Sequence, residues 1–434
     1  MKLDYGWSDA STFRCWGPYS EFTIDPSTSM RVTWQSKFFS KNAWLMHGLS
    51  PDSLETKLVH DADPPATTHS FLLEDLEPRT TYYYQISRPE DLKKRDQQPV
   101  YSFITAPEAG SQHPFTACIA SDIHNNISWL LNRIHHDIPD SRFLISCGDC
   151  ITHGGQETAW NDYFHQVHHA PSRFPILHVT GNHDTDHPET YAHFIQTFRN
   201  PYPDSSIGGF YQFTYANCRF IMLDSTNAGQ TRAGQGVISD EQMEWLEKAL
   251  ADAAERHLWK IICLHHPIYS SMDSANLMNW YDIAYRALFD EYKVDMVFYG
   301  HDHAWEIYWR SREAPWGGTN YILCGNGGGG LSTSVRDPRR LKGTPNYIWK
   351  GRTHLHERDG ILSGKLENDN VSNDIIKSSH VFGILEHGVT CLVFSGDTCD
   401  IRLLGKDGQE LFMDVIKRTG QGKTFHPPAK VQSI

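Results

Sequence analysis

The sequence predicts an α/β protein that carries an all-β module at its front. Three observations point there. Short alternating apolar runs, separated by turn residues, occupy roughly the first hundred positions. From residue 115 onward, apolar runs alternate with stretches of helical period, the pattern of strands covered by helices. Five of these later runs stop abruptly and are followed at once by Asp, Asn or His.

At 434 residues and 49.6 kDa the chain is long enough for two domains. Its 39% apolar and 12% aromatic content is that of a folded protein. No stretch of 18 apolar residues suggests a membrane span, so no membrane partner is expected. Met1-Lys2-Leu3-Asp4-Tyr5 has no apolar leader, which predicts a cytoplasmic protein, or a secreted one if a leader has been trimmed. The net charge of −13 disfavours a nucleic-acid polymer, because phosphate contacts need a basic face. A small anionic substrate stays compatible if metals supply positive charge locally. The nine cysteines, several inside apolar runs (Cys118, Cys263, Cys324), suit reduced core thiols better than a disulfide framework.

Residues 1–107 form the β-module. Its runs include Met30-Arg31-Val32-Thr33-Trp34, Ala43-Trp44-Leu45-Met46 and Tyr101-Ser102-Phe103-Ile104. The segment Leu76-Glu77-Pro78-Arg79-Thr80-Thr81-Tyr82-Tyr83-Tyr84 looks like the tyrosine corner of a fibronectin-type sandwich. Thr105-Ala106-Pro107-Glu108-Ala109-Gly110 reads as the linker to a second domain over 115–420.

In that domain the strand over 115–120 ends at Ser121-Asp122-Ile123-His124, with a helix expected over 128–136. An extended backbone puts Asp122 and His124 on one side, although Asp122 is also a fair helix N-cap. The strand over 143–146 ends at Cys147-Gly148-Asp149-Cys150. A redox reading of the Cys-x-x-Cys needs a helix start at the cysteines, and Ile151-Thr152-His153-Gly154-Gly155 intervenes. Asp149 is the better candidate, since one carboxylate can bridge two cations. The strand over 176–180 ends at Gly181-Asn182-His183-Asp184: an amide, an imidazole, and a carboxylate placed to orient that imidazole.

The strand over 260–264 meets His265-His266-Pro267, where neighbours on a strand face opposite ways and one His can enter a shared pocket. The run over 294–298 delivers Tyr299-Gly300-His301-Asp302-His303. With 25 His, about 1.4 His-x-His pairs arise by composition alone, and two occur, so the pair gains meaning only from the other strand ends.

Elsewhere, Ser239 and Gln242 predict a capping box before the stripe Met243, Leu246, Leu250 and Ala253. Gly325-Asn326-Gly327-Gly328-Gly329-Gly330 matches a dinucleotide-loop pattern, but no helical period follows, which favours a loop packed beside the site. Trp305, Tyr308 and Trp309 can pack in the core or stack on a substrate. Residues 331–378 are polar and aperiodic, like an insertion or lid. Four closing strands follow, over 381–386, 390–394, 400–404 and 411–416, with a loose tail beyond Thr419.

The ordered set Asp122/His124, Asp149, Asn182/His183, His265 and His301/His303 resembles the metallophosphoesterase superfamily (D-x-H, G-D, G-N-H-D/E, a His, G-H-x-H) over nearly all of 115–330. Tyr101-Ser102-Phe103-Ile104-Thr105-Ala106-Pro107, Gln242-Met243-Glu244-Trp245-Leu246-Glu247 and His303-Ala304-Trp305-Glu306 are similar to purple acid phosphatases. The resemblance implies a four-layer αββα sandwich behind a fibronectin-III-like module. It also implies two divalent or mixed-valence ions (Fe, Zn or Mn). One would be held by Asp122, His124, Asp149 and His303, and the other by Asp149, Asn182, His265 and His301. His265 is preferred to His266 because the liganding His of the family lies two before the Pro, here Pro267.

By the same resemblance, Asn182 and His183 would contact substrate, and His183, oriented by Asp184, would assist the leaving group. The cation pair would acidify and aim a shared water. Two departures stand out: purple acid phosphatases have glycine where His124 stands, and tyrosine where Thr152 stands. The first is similar to bacterial cyclic-nucleotide and glycerophosphodiester phosphodiesterases; the second predicts a protein that is not purple. The substrate-side histidines of plant members are replaced by Ser274, Ala275 and Asn276. The expected function is hydrolysis of small phosphate esters, monoesters slightly favoured. The alternatives are a diesterase, a nuclease relative, and a non-catalytic metal-containing binding protein.

Overall fold

A computed structural model describes residues 16–87, 99–167, 170, 173–185, 188–202, 209–226, 239–270, 285–332, 347–349, 352–354, 379–419 and 422–426. The N-terminal strands are β1 (Trp16–Phe22), β2 (Met30–Gly48), β3 (Thr56–Leu73), β4 (Thr81–Ile86) and β5 (Tyr101–Ile104). Two runs expected as separate strands are the two halves of β2. Register breaks between Gln35 and Asn42 separate them: β1 flanks the first half, β4 the second, and β3 follows both. Such irregularities bend a strand, so the connected sheet folds over Val32, Trp34, Leu45, Phe71, Tyr84 and Phe103. The Glu77 amide donates to the Tyr82 hydroxyl at 2.9 Å, closing the expected tyrosine corner.

The chain continues through β6 (Phe115–Ala120), α1 (Ile127–Asp137), β7 (Ser141–Ser146), α2 (Glu157–Val167), β8 (Ile176–His178) and α3 (Pro188–Thr197). Next come β9 (Tyr211–Tyr215), β10 (Cys218–Met222), α4 (Asp240–Glu255), β11 (Trp259–Cys263), β12 (Met296–Tyr299), β13 (Trp305–Arg310) and β14 (Thr319–Cys324). The last strands are β15 (Tyr347–Trp349), β16 (Arg352–His354), β17 (His380–Ile384), β18 (Gly388–Ser395), β19 (Thr398–Gly405), β20 (Glu410–Thr419) and β21 (Gly422–His426).

They form a nine-stranded sheet, β16-β15-β17-β13-β14-β12-β11-β10-β9, and a seven-stranded sheet, β21-β20-β19-β18-β6-β7-β8. Phe143, Phe220, Phe298 and Phe394 belong to the core between the sheets. Leu130, Trp160 and Phe194 of α1, α2 and α3 cover the outside of one sheet. Leu246 and Leu250 of α4 cover the outside of the other. The four layers are α, β, β, α, as the resemblance implied.

Three local expectations differ. Asp122 does not cap α1: the N-cap is Asn126, whose side chain donates to the Gly328 carbonyl instead of capping the helix. Ser239 does cap α4 by accepting from the Gln242 amide, but the Gln242 side chain pairs with the Asp224 backbone instead of closing a capping box. The tail expected to be loose forms β21, paired to β20 across Thr419↔Gly422. The side chain of its Lys423 is nearly buried, with Nζ 3.1 Å from Asp295 Oδ1. Within 331–378, the described residues hold the short hairpin β15–β16; the rest of that segment, with Ser274, Ala275 and Asn276, lies outside the described residues. Trp305 and Tyr308 are fully buried in the core, and Trp309 Nε1 donates to the Gly317 carbonyl.

Candidate metal centre

The ligand loops leave the ends of β6, β7 and β12 in left-handed backbone: Asp122, His124, Asn125, Asp149 and His301 all have φ between +46° and +71°. Convergence therefore comes from tight turns, where strand alternation was expected to supply it. Those turns tie the two sheets together at one edge. The Ser121 amide donates to the Cys324 carbonyl at 3.0 Å, and the His301 amide to Asp122 Oδ2 at 2.8 Å.

Two clusters of donor atoms result. In one, His303 Nε2 lies 3.3 Å from Asp122 Oδ1 and 3.2 Å from His124 Nε2. In the other, Asn182 Oδ1 lies 2.9 Å from His265 Nε2 and 2.8 Å from His301 Nδ1. Asp149 Oδ2 faces both, 3.7 Å from His124 Nε2 and 3.4 Å from His265 Nε2. Donors around 2.1 Å from one cation stand roughly 3–3.5 Å from each other, so these spacings suit shared ions. Asp122 Oδ1 is buried without a hydrogen-bond donor among the described residues, a lone pair left for a cation. The residues present fit the implied metals.

Backbone carbonyls aim the rings. Cys147, Gly330 and Thr152 carbonyls accept from Nδ1 of His265, His303 and His183 respectively, which turns each Nε2 away from its carbonyl. His183 stands edge-on to His124, ring centroids 4.9 Å apart, and its amide donates to Asp149 Oδ1 at 2.9 Å. His265 and His266 both border the second cluster, since a nitrogen of His266 lies within 4.8 Å of those of His265 and His301. His266 Nδ1, however, is engaged by Ser225 Oγ at 2.9 Å.

Asp184 does not orient His183 as the sequence suggested. Its carboxylate accepts from the amides of Asp149 (2.8 Å), Gly181 (3.1 Å) and Ile151 (3.2 Å), fastening the Asp149 turn to the Asn182 turn. A short acid next to a turn reaches backbone amides more easily than its neighbour's ring.

Electrostatics follow the geometry. Burial alone would raise Asp149, but the His265 charge and hydrogen bond outweigh it and hold the carboxyl far below its usual range. Burial would raise Asp122 too, but the His303 charge beside it holds that carboxyl below its usual value. Burial opposes charge on His265 and His303, yet Asp149 lifts His265 to about 10 and Asp122 lifts His303 to about 9. Burial keeps His124 and His301 below the ordinary histidine value, as neutral ligands. It also pushes Asp184 up, helped by the Asp149 charge and opposed by the amide bonds.

The glycine-rich loop closes over the first cluster. Amides of Gly327 and Gly329 donate to the Ser121 and Asp122 carbonyls, which leaves them engaged instead of free to cradle a nucleotide. A Cβ on Gly329 would stand 2.5 Å from His124 Cδ2 and 2.8 Å from His303 Cε1. Cys147 and Cys150 are free and buried, and burial pushes both thiols up, so the redox reading gains no support.

Two packed sheets with histidines, carboxylates and an amide gathered at their strand ends make a candidate two-cation centre. Residues 115–305 match the calcineurin-like phosphoesterase family, and residues 18–105 match the purple acid phosphatase N-terminal domain. The chain carries a calcineurin-like phosphoesterase domain behind a purple acid phosphatase N-terminal domain.

Among its relatives, purple acid phosphatase 15 of Arabidopsis thaliana is 26% identical over 332 residues, covering 65% of this chain and 59% of that protein. The Fe(3+)-Zn(2+) purple acid phosphatase 12 of the same plant is 24% identical over 307 residues, 62% of each. The solved purple acid phosphatase PPD1 from yellow lupin (Lupinus luteus) seeds superposes with a TM-score of 0.67 at 17% identity, over 93% of this chain and 74% of that one, a likeness of fold. The chain spans about 60% of the length of the curated relatives it matches. No described helix is long and apolar enough to cross a membrane.

Proposed function

We propose that the chain hydrolyses small phosphate esters with a pair of cations, monoesters ahead of diesters. One observation carries this reading: a single carboxylate oxygen, Asp149 Oδ2, faces a histidine of each donor cluster. One cation would take Asp122, His124, Asp149 and His303, and the other Asp149, Asn182, His265 and His301. Iron, zinc or manganese, as a divalent or mixed-valence pair, suits this N/O set; the relative named above is an iron–zinc protein. Bound cations supply Lewis-acid polarisation of the phosphoryl oxygens and the charge that acidifies water.

The protein's own groups do the rest. Asn182 and His183 meet the substrate. With Nδ1–H committed to Thr152, His183 in its imidazolium form presents Nε2–H to donate to a phosphoryl oxygen or hand a proton to the leaving oxygen. Asp184 supports the reaction as a fastening between loops. The catalytic unit would run over 115–420, with 1–107 as a buttress. Trp16 of β1 supports that role by stacking on Phe164 of α2 at 4.6 Å. The diester reading keeps one specific support, the extra imidazole of His124 beside His303.

The net charge of −13 favours a small ester over a nucleic-acid polymer. The eight described cysteines, all buried and free, favour a reducing, cytoplasmic setting. The test is metal analysis with nitrophenyl mono- and diester hydrolysis by wild type and His183→Ala. We expect two metals per chain, monoester turnover above diester, and a fall of roughly 10² or more in the variant. Failure of the metal-loaded wild type on both esters would favour a binding protein; an unchanged variant would remove His183 from the chemistry.

A further inference from the structure

The two donor clusters differ in how they are braced. The turn after β10 runs beside the turn after β11, because the two strands are parallel neighbours with Met222 opposite Cys263. In that turn Ser225 Oγ accepts from the amides of His265 (3.3 Å) and His266 (3.0 Å) and pairs with His266 Nδ1 at 2.9 Å. A hydroxyl that takes two amides spends its own proton on the third partner, so Ser225 donates to Nδ1.

Its neighbour Asp224 reaches the other loop: Oδ1 accepts from the Thr180 hydroxyl at 2.9 Å, two residues before Asn182. Oδ2 accepts from the Tyr191 hydroxyl at 2.8 Å, and the Asp224 backbone is clasped by Gln242 of α4 at 2.7 and 2.9 Å. One buried two-residue turn thus braces the loops of both Asn182 and His265.

The geometry points to Ser225, seated by Asp224, as a positioning residue that sets the affinity of one cation of the pair, the one held by Asn182, His265 and His301. This rests on the two-cation reading above. Groups that orient first ligands typically contribute 10–100-fold in metal affinity. Removing the hydroxyl frees the His265 and His266 amides and the His266 ring, while the Asp122–His124–His303 cluster keeps its own carbonyl and glycine-loop supports.

The experiment measures Mn²⁺ per chain, by elemental analysis, as free Mn²⁺ is lowered with a chelator. The proteins are wild type, Ser225→Ala, Ser225→Thr and Thr180→Val, each with its metal-free melting temperature. Wild type should hold two ions. Ser225→Ala should lose one of them at free Mn²⁺ roughly 10–100-fold higher while the other titrates as in wild type. Ser225→Thr should recover most of the loss, and Thr180→Val should weaken the same ion by less. Equal retention by Ser225→Ala and wild type would overturn the proposal, and so would equal loosening of both ions. If Ser225→Ala does not fold, Thr180→Val decides in the same way. A wild type that holds no pair of ions would overturn the two-cation reading itself, and this proposal with it.

Discussion

Asp184→Ala separates two roles for this acid, a strap between loops and a partner for the neighbouring imidazole. The carboxylate is fully buried and takes three backbone amides, those of Asp149, Gly181 and Ile151. Truncation strands all three donors away from water at about 1–3 kcal/mol each. Relief of repulsion toward Asp149 offsets part of this, since that charge helps push the Asp184 carboxyl up. A net loss of roughly 3–5 kcal/mol remains, a large share of a typical folding free energy.

Asp184→Asn keeps one oxygen for two amides but turns an NH₂ toward the third, so it should lose roughly 1–3 kcal/mol. Urea unfolding should therefore rank wild type above Asn above Ala, with metal content falling in the same order. His183→Ala, by contrast, should leave the unfolding midpoint nearly in place and lower the rate. An Asp184→Ala protein with the wild-type midpoint and the rate of His183→Ala would refute the strap and restore the imidazole-orienting role.

Three further outcomes are expected. Loading metal into the metal-free protein at pH 7 should release about two protons, from His265 and His303, whose values near 10 and 9 keep them protonated until a cation competes; affinity should rise with pH, and calorimetry in buffers of different ionisation heat reads both effects. Glu21, buried where the Arg199 amide and the Thr33 hydroxyl meet it, is pushed by burial from 4.5 to about 7. A carboxyl raised on folding contributes stability below its unfolded value and loses it as pH climbs through the folded one, so melting temperature should fall between about 4.5 and 7. Glu21→Gln should flatten that slope and add roughly 2–4 kcal/mol at neutral pH. Finally, iron-loaded protein should lack a tyrosinate charge-transfer band in the visible spectrum, because Thr152 stands three residues after Asp149 and gives its carbonyl to His183.

Much of the site is legible in the sequence because each donor follows directly on an apolar run. Asp149 after Gly148 and Asn182 after Gly181 announce themselves that way, and strand order brings them to one edge. The supports are not legible. Ser225 follows β10 just as His265 follows β11, but a serine carries no sign that two amides and a ring nitrogen depend on it. The partners of Asp184 are hidden too, because closeness along the chain says little about which hydrogen bonds a buried acid will find. Lys423 looked like part of a polar tail, and only the fold shows Asp295 waiting across the sheet edge. The bend that makes β2 one strand sits in register breaks between Gln35 and Asn42 that alternation cannot signal.

The backbone at position 124, φ +46°, is a conformation that glycine adopts freely and an imidazole-bearing residue resists. It suits a glycine such as purple acid phosphatases carry there, and here the turn bears an imidazole instead. His124→Gly should then give a tougher scaffold and a poorer metal holder at once. Natural variation at this position can exchange ruggedness for reactivity in a single codon, leaving every neighbouring turn in place.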